Sequence, residues 1–324
     1  MGAWLIGAAL TTWCAPALAG TIRGYVLDGQ TGQPQPGVPV VLQAWEQPAD
    51  ALALARAQSD AQGRFTLTSP QVRAGFPFRL VASYCGVAQS SARLQAGEQD
   101  LVIVEVYPPT DDPSDIRVAA HAVFLNAESG RVDVAHLLYV DNGADAVYTG
   151  ARAGDGGGVT PLWLPAAAFG LEQHAADFTA ARGDTVFDGR PLLPGRTQVA
   201  YSFSLDQASV GGRIEQRVLL PTDQLDIFIH PAAIALPEGF VDLGQAEIDG
   251  LAYHQGRRTD VRSGEGFVVP LASEADPGAF VRWGALFVAL GVAGVTLWSS
   301  RRVVPQHEPV GRRGAQAEPQ EPRR

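Results

Sequence analysis

From residue 20 onward the chain alternates. Ile22, Gly24 and Val26 alternate with Arg23 and Tyr25, and Phe78, Leu80, Ala82 and Tyr84 repeat at every second residue. A period of two marks a strand with one face on a core and the other in water. The same pattern predicts strands at 38–42, 57–59, 64–68 and 101–107. Pro39 cannot donate to a ladder, which predicts an edge position for the strand at 38–42. Between two of these runs lies SDAQGRFTL, residues 59–67. Asp60 can bond its own downstream backbone and Gly63 can take positive φ, so a tight turn is predicted there, making 57–59 and 64–68 hairpin partners.

The pattern pauses at PPTDDPSD, a polar Pro-rich stretch at 108–115, and then restarts. Strands are predicted at 118–126, 131–141, 159–164, 198–205, 213–220 and 225–230, with Gly and Pro between them. A linker at 109–116 therefore separates a domain at 20–108 from one at 117–273. The composition agrees, since 36 Gly, 23 Pro and 46% hydrophobic residues with one Met describe many short strands joined by turns. The expected fold class is all-β: two antiparallel β-sandwich domains followed by one C-terminal transmembrane helix.

Both ends read as address labels. Residues 1–19 hold an apolar run, Pro16 and then Ala17-Leu18-Ala19, the small-x-small pattern of a signal peptide cleaved before Gly20. The stretch WGALFVALGVAGVTLWSS, 283–300, carries no charge. As a helix it is about 27 Å long, close to the hydrocarbon thickness of a bilayer. A membrane span is expected at 281–300, with Trp283 and Trp298 at the interfaces. Arg301 and Arg302 place the tail in the cytoplasm by the positive-inside rule, and the Pro-, Arg-, Glu- and Gln-rich residues 301–324 should be disordered. The expected location is the cytoplasmic membrane, single-pass, with a periplasmic or extracellular ectodomain. Ala285, Ala289 and Ala293 recur every four residues and offer a small-residue face to a partner helix.

Four short motifs in order carry a family resemblance: Gly24-x-Val26-x-Asp28, Thr31-Gly32-x-Pro34-x-x-Gly37-Val38-x-Val40, Asp60-x-x-Gly63-x-Phe65, and Tyr84-Cys85-Gly86-Val87. Together they make residues 20–108 resemble the carboxypeptidase regulatory-like domain. The resemblance implies a transthyretin-like β-sandwich and implies no activity, because the module accompanies peptidases as a non-catalytic appendage.

Charge and chemistry narrow the function further. Every basic residue is Arg, so lysine-dependent phosphate binding and Schiff-base chemistry are excluded. Residues 20–281 hold 17 Arg against 31 Asp and Glu, a net of −14, which repels nucleic acid. The chain has no HExxH, GxSxG or CxxC motif, so no enzyme is expected. Register offers one metal candidate. With residues 127–130 as a four-residue hairpin loop, Asn126 faces Arg131 and His121 lies directly opposite His136, their Cβ atoms about 5 Å apart. Such a pair is a start for a copper or zinc site and supplies only part of a ligand set; the competing reading is a half-buried pair packed beside Val123 and Val134. Asp111, Asp112 and Asp115 are read as a solvated acidic linker with a calcium site as the alternative, and Cys85, the sole cysteine after cleavage, as a buried inert thiol. The expected function is a membrane-anchored extracytoplasmic module that contacts an envelope protein or glycan. The alternative is a metal or small-ligand binding protein assisting envelope cofactor assembly.

Overall fold

The alternating runs become strands because strict alternation can bury one face of a pleated ribbon and leave the other wet. The computed structural model describes residues 20–45, 52–98, 101–128, 130–150 and 158–271, and these are all-β with no helix. The described residues belong to one of two units into which the chain divides, Met1–Val281 and Arg282–Arg324. Among them no helix is long and apolar enough to cross a membrane. The expected signal peptide, the span at 281–300 and the tail lie outside the described residues.

The first half contains β1 (Gly20–Asp28), β2 (Pro39–Ala44), β3 (Ala55–Gln58), β4 (Arg64–Ser69), β5 (Pro77–Tyr84), β6 (Val87–Ser90), β7 (Leu94–Gln95) and β8 (Val102–Val106). One sheet has the order β4-β1-β8, with β8 parallel to β1, and another the order β3-β2-β5-β6, with β7 on β5. Ile22, Val26, Phe65, Leu67 and Val104 from the first sheet share one core with Val40, Leu42, Phe78 and Leu80 from the second. Each such side chain contributes about 1.5–3 kcal/mol on burial. Two sheets facing across one core are consistent with a β-sandwich.

Two expectations need correction here. The turn at 59–67 is present, with Gly63 at φ +74 and its N–H donating to Asp60 O. It does not close a hairpin: β3 pairs with β2 while β4 pairs with β1, so the turn carries the chain from one sheet to the other. A turn signal fixes a reversal of direction and says nothing of which sheet receives the next strand. Pro39 also does not mark an edge, because β2 lies between β3 and β5; it stands at the first residue of its strand, where a missing N–H is tolerated.

The second half holds β9 (Pro109–Thr110), β10 (Ile116–Glu128), β11 (Arg131–Asn142), β12 (Val147–Tyr148), β13 (Thr160–Trp163), β14 (Phe169–Ala175), β15 (Phe178–Arg182), β16 (Thr185–Asp188), β17 (Gly195–Asp206), β18 (Arg213–Arg217), β19 (Thr222–His230), β20 (Val241–Ile248), β21 (Leu251–Val261) and β22 (Gly266–Pro270). A seven-stranded sheet runs β14-β17-β11-β10-β19-β21-β20, with β10 and β19 parallel. Smaller sheets, β13-β16-β15 and β18-β22, contribute Leu162, Val186, Ile214 and Val269 to the core that buries Val134, Phe203 and Ile227 of the large sheet. The segment read as a polar linker makes contacts of its own. β9 pairs with β12, and Gln30 Nε2 of the first half donates to Asp145 O at 2.5 Å.

Candidate functional site

β10 carries His121 and β11 carries His136. A bulge between Val118 and Ala120 reverses the alternation, so Val118 and His121, three residues apart, both face the core. The pairing places Glu128 against Arg131, so β10 and β11 are joined by two residues where four were expected. His121 therefore lies opposite Leu138 and His136 opposite Val123, which corrects the directly opposed pair. The error is an even number of residues and leaves every side chain on its face. The two histidines remain together as diagonal neighbours.

Their rings meet edge to edge. His121 Nε2 lies 3.0 Å from His136 Nδ1, a hydrogen bond in which one imidazole donates and the other accepts. The His136 ring stacks on Tyr201 at 4.6 Å with 5° between planes, and Tyr201 donates its hydroxyl to Trp163 O at 2.9 Å. His121 is 7% exposed and His136 1%, a more complete burial than the half-buried pair expected. Burial pushes His121 down to about 3. His136 falls well below the ordinary histidine range, first through burial and then through repulsion from a charged His121. Both rings are neutral near pH 7.

As a metal centre the pair is incomplete. Zinc and copper take imidazole nitrogen at about 2.0–2.1 Å through a free lone pair, and here the facing nitrogens are occupied with each other. Among the described residues no group of three His, Cys, Asp or Glu could hold a metal ion. The far nitrogens, His121 Nδ1 and His136 Nε2, are buried without a hydrogen-bond partner, as is Trp163 Nε1. His121, Trp163, Tyr201 and Arg217 line a small cavity of about 10 Å³. The Arg217 guanidinium stands 4.9 Å above the Trp163 ring. Trp163 and Arg217 carry no local motif and reach the site from β13 and β18, so sequence reasoning had no signal for them.

The remaining candidates disperse. Asp111, Asp112 and Asp115 are exposed, and Asp112 Oδ1 accepts from Ser114 N in a local turn. Cys85 is exposed rather than buried. It sits with Gly86 at the tip between β5 and β6, both at positive φ, and such a two-residue turn projects its side chain into solvent. Ser202 Oγ lies 2.9 Å from His174 Nε2. Glu172 approaches that same nitrogen, at 3.8 Å. A catalytic triad needs its acid on the nitrogen away from the serine, and Glu172 stands at the nitrogen that faces Ser202, so it is not placed as a triad acid.

No family model matches the chain, and no curated protein matches it.

Proposed function

We propose that the chain is a membrane-anchored extracytoplasmic protein acting as a non-catalytic interaction module of the bacterial cell envelope. In this reading residues 1–19 are a signal peptide, 20–108 a carboxypeptidase regulatory-like sandwich, 117–273 a second sandwich and 281–300 the anchor. The observation that carries it is the exposure of apolar side chains on both outer strands of the seven-stranded sheet. Phe169 and Leu171 on β14 are 49% and 38% exposed, and Val241 and Leu243 on β20 are 65% and 44% exposed. Large apolar side chains left exposed in pairs on each outer strand favour a protein partner. Both strands carry bulges, with Gly170 and Gly244 at positive φ. Bulges blunt an edge against open-ended strand addition, so contact through side chains fits better than an added strand.

The test is a photo-crosslinking amino acid placed at Phe169 or Leu243 in cells, with exposed Thr66 on β4 as the control. The reading expects a discrete crosslinked envelope species from the outer strands and none from Thr66. Equal yields at all three positions, or none, would remove its support.

The alternative reading is a metal or small-ligand binding protein assisting envelope cofactor assembly, with the buried histidine pair as its entry point even though its facing nitrogens are bonded to each other. Metal analysis of the purified chain separates the two. Stoichiometric copper or zinc that is lost on His136→Leu supports the second reading, and a metal-free protein supports the first.

A further inference from the structure

β8 is an outer strand that lacks the guards of β14 and β20. It pairs only with β1, in unbroken parallel register from Gly24 opposite Val102 to Asp28 opposite Val106, and it carries no Pro, Lys or bulge. Gly29 N donates to Val106 O at 3.0 Å, so Val102, Val104 and Val106 turn their backbone groups toward β1. Backbone groups point to alternate sides along a strand, so those of Ile103, Glu105 and Tyr107 point to the open side. At Tyr107 that side is filled. The Gln89 side-chain amide accepts from Tyr107 N at 3.0 Å and donates to Tyr107 O at 2.7 Å, standing where one residue of a further strand would stand. Among the described residues nothing does the same for Ile103 or Glu105. Ile103 is 56% exposed. The surroundings are acidic: residues 94–116 contain Glu98, Asp100, Glu105, Asp111, Asp112 and Asp115 and no basic residue. Burial, then Glu105, Asp145 and Asp28, push the Tyr107 hydroxyl up to about 12, as a negative local field requires.

We propose that the open edge of β8 is a docking site for an extended basic peptide segment of a partner protein, added as an antiparallel strand against Ile103 and Glu105. In antiparallel pairing the residue facing Ile103 exchanges both N–H···O bonds with it, and the residue two positions earlier does the same with Glu105. The side chains of those two residues share the face of Ile103 and Glu105. An apolar one covers Ile103, and an Arg or Lys meets the Glu105 carboxylate. The recognised pattern is therefore basic-x-apolar. Gln89 ends the addition at Tyr107, which keeps the added strand short. A second copy of the chain is disfavoured, because residues 20–281 of each copy carry a net charge of −14. The site uses no residue of β14 or β20, so it stands or falls independently of the contacts proposed for those strands.

The test uses the full chain in detergent micelles and a fluorescent heptapeptide centred on Arg-Thr-Val. Expected are a saturable rise in anisotropy that weakens with added salt, and slowed hydrogen exchange at the amides of Ile103 and Glu105. Without peptide those two amides should exchange faster than those of Val104 and Val106. A peptide with Glu in place of Arg should lose binding through charge, and one methylated on the Val nitrogen should lose it through the missing bond to Ile103 O. Ile103→Lys, a change at an exposed position, should also abolish binding, and Glu105→Arg should transfer the preference to the Glu-containing peptide. Absence of binding would overturn the site. Binding that leaves the Ile103 and Glu105 amides unprotected, or that survives methylation, would reduce the contact to charge alone and also overturn it. Protection of the two amides without peptide, rising with protein concentration, would give the edge to a second copy and contradict the proposal.

Discussion

Among the described residues the first core pairs its buried polar side chains, and the second leaves several buried side-chain atoms unpaired. In the first half, Ser59 Oγ accepts from Val38 N at 2.9 Å and donates to Gln35 O at 2.7 Å. Gln89 clamps Tyr107 at both its backbone N–H and its C=O, and Gln43 accepts from Arg79. In the second half, His121, Asn126, His136, Tyr139, Thr160, Trp163 and Gln216 each bury at least one side-chain atom with no partner, and among the described residues every such atom lies there. An unsatisfied buried group costs about 1–3 kcal/mol, so a core that keeps several either holds small molecules or tolerates the cost for another reason. Departures from local rules concentrate where chains carry function. The contrast directs attention to the core of the second half for ligand chemistry and to the core of the first for support.

The largest expected effect breaks the first half. At Gly63 a Cβ would stand 2.7 Å from Val26 O and 3.0 Å from Pro34 Cβ, on a residue at φ +74. Gly63→Val combines that clash with backbone strain and should cost about 3 kcal/mol or more. Hydrogen exchange localises it: the amides of β1 and β4 should lose protection while those of β10 and β11 keep theirs. Next is Ser59→Ala, which strands the Val38 N–H and the Gln35 carbonyl and should cost about 1–3 kcal/mol in a thermal melt.

A double-mutant cycle sharpens the comparison. His121→Leu alone leaves His136 with a further unpaired nitrogen and should cost about 1–2 kcal/mol. The double variant His121→Leu with His136→Leu removes both partners of a buried polar pair and should lie near or above the wild-type stability, because apolar replacement of a whole buried polar pair is often neutral or stabilising. Additive losses would mean that the two rings do not act as a pair. Smallest of all is Arg64→Ala. Its ion pair with Asp60 joins two largely exposed side chains, and the melting midpoint should stay within measurement error.

Much of the fold was legible from alternation. The strands around Val26, Leu80, Val134 and Phe203 could be read because their inward residues repeat every second position. β14 and β20 could not. With Gly170 and Gly244 inside them and both faces exposed, they carry no apolar alternation to read. The histidine pair was legible as two residues on one face, because a register error of two preserves faces, while its geometry was not, because neither the loop length nor the bulge after Val118 leaves a mark in the pattern. The rest of the site was hidden for a different reason. Trp163 and Arg217 come from strands distant in sequence, and only tertiary packing brings them to the cavity that His121 lines.

The central claim is that the second core holds a neutral, hydrogen-bonded histidine pair, and the pH dependence of stability tests it most directly. In the unfolded chain a histidine titrates near 6.5, whereas burial holds His121 down to about 3 and His136 well below its ordinary range. The unfolded state thus binds protons that the folded state refuses. The pair's share of the stability is fully present above about pH 6.5 and drains as the pH falls from there toward 3. Thermal melts of the wild type and of the double leucine variant, taken from pH 7.5 down to pH 4, isolate that share by subtraction, since other acid-sensitive groups contribute equally to both. The account predicts that the wild type loses stability more steeply than the variant on acidification, the gap opening below about pH 6.5. Parallel curves would contradict it, because they would mean that the two imidazoles titrate in the folded protein as they do in water.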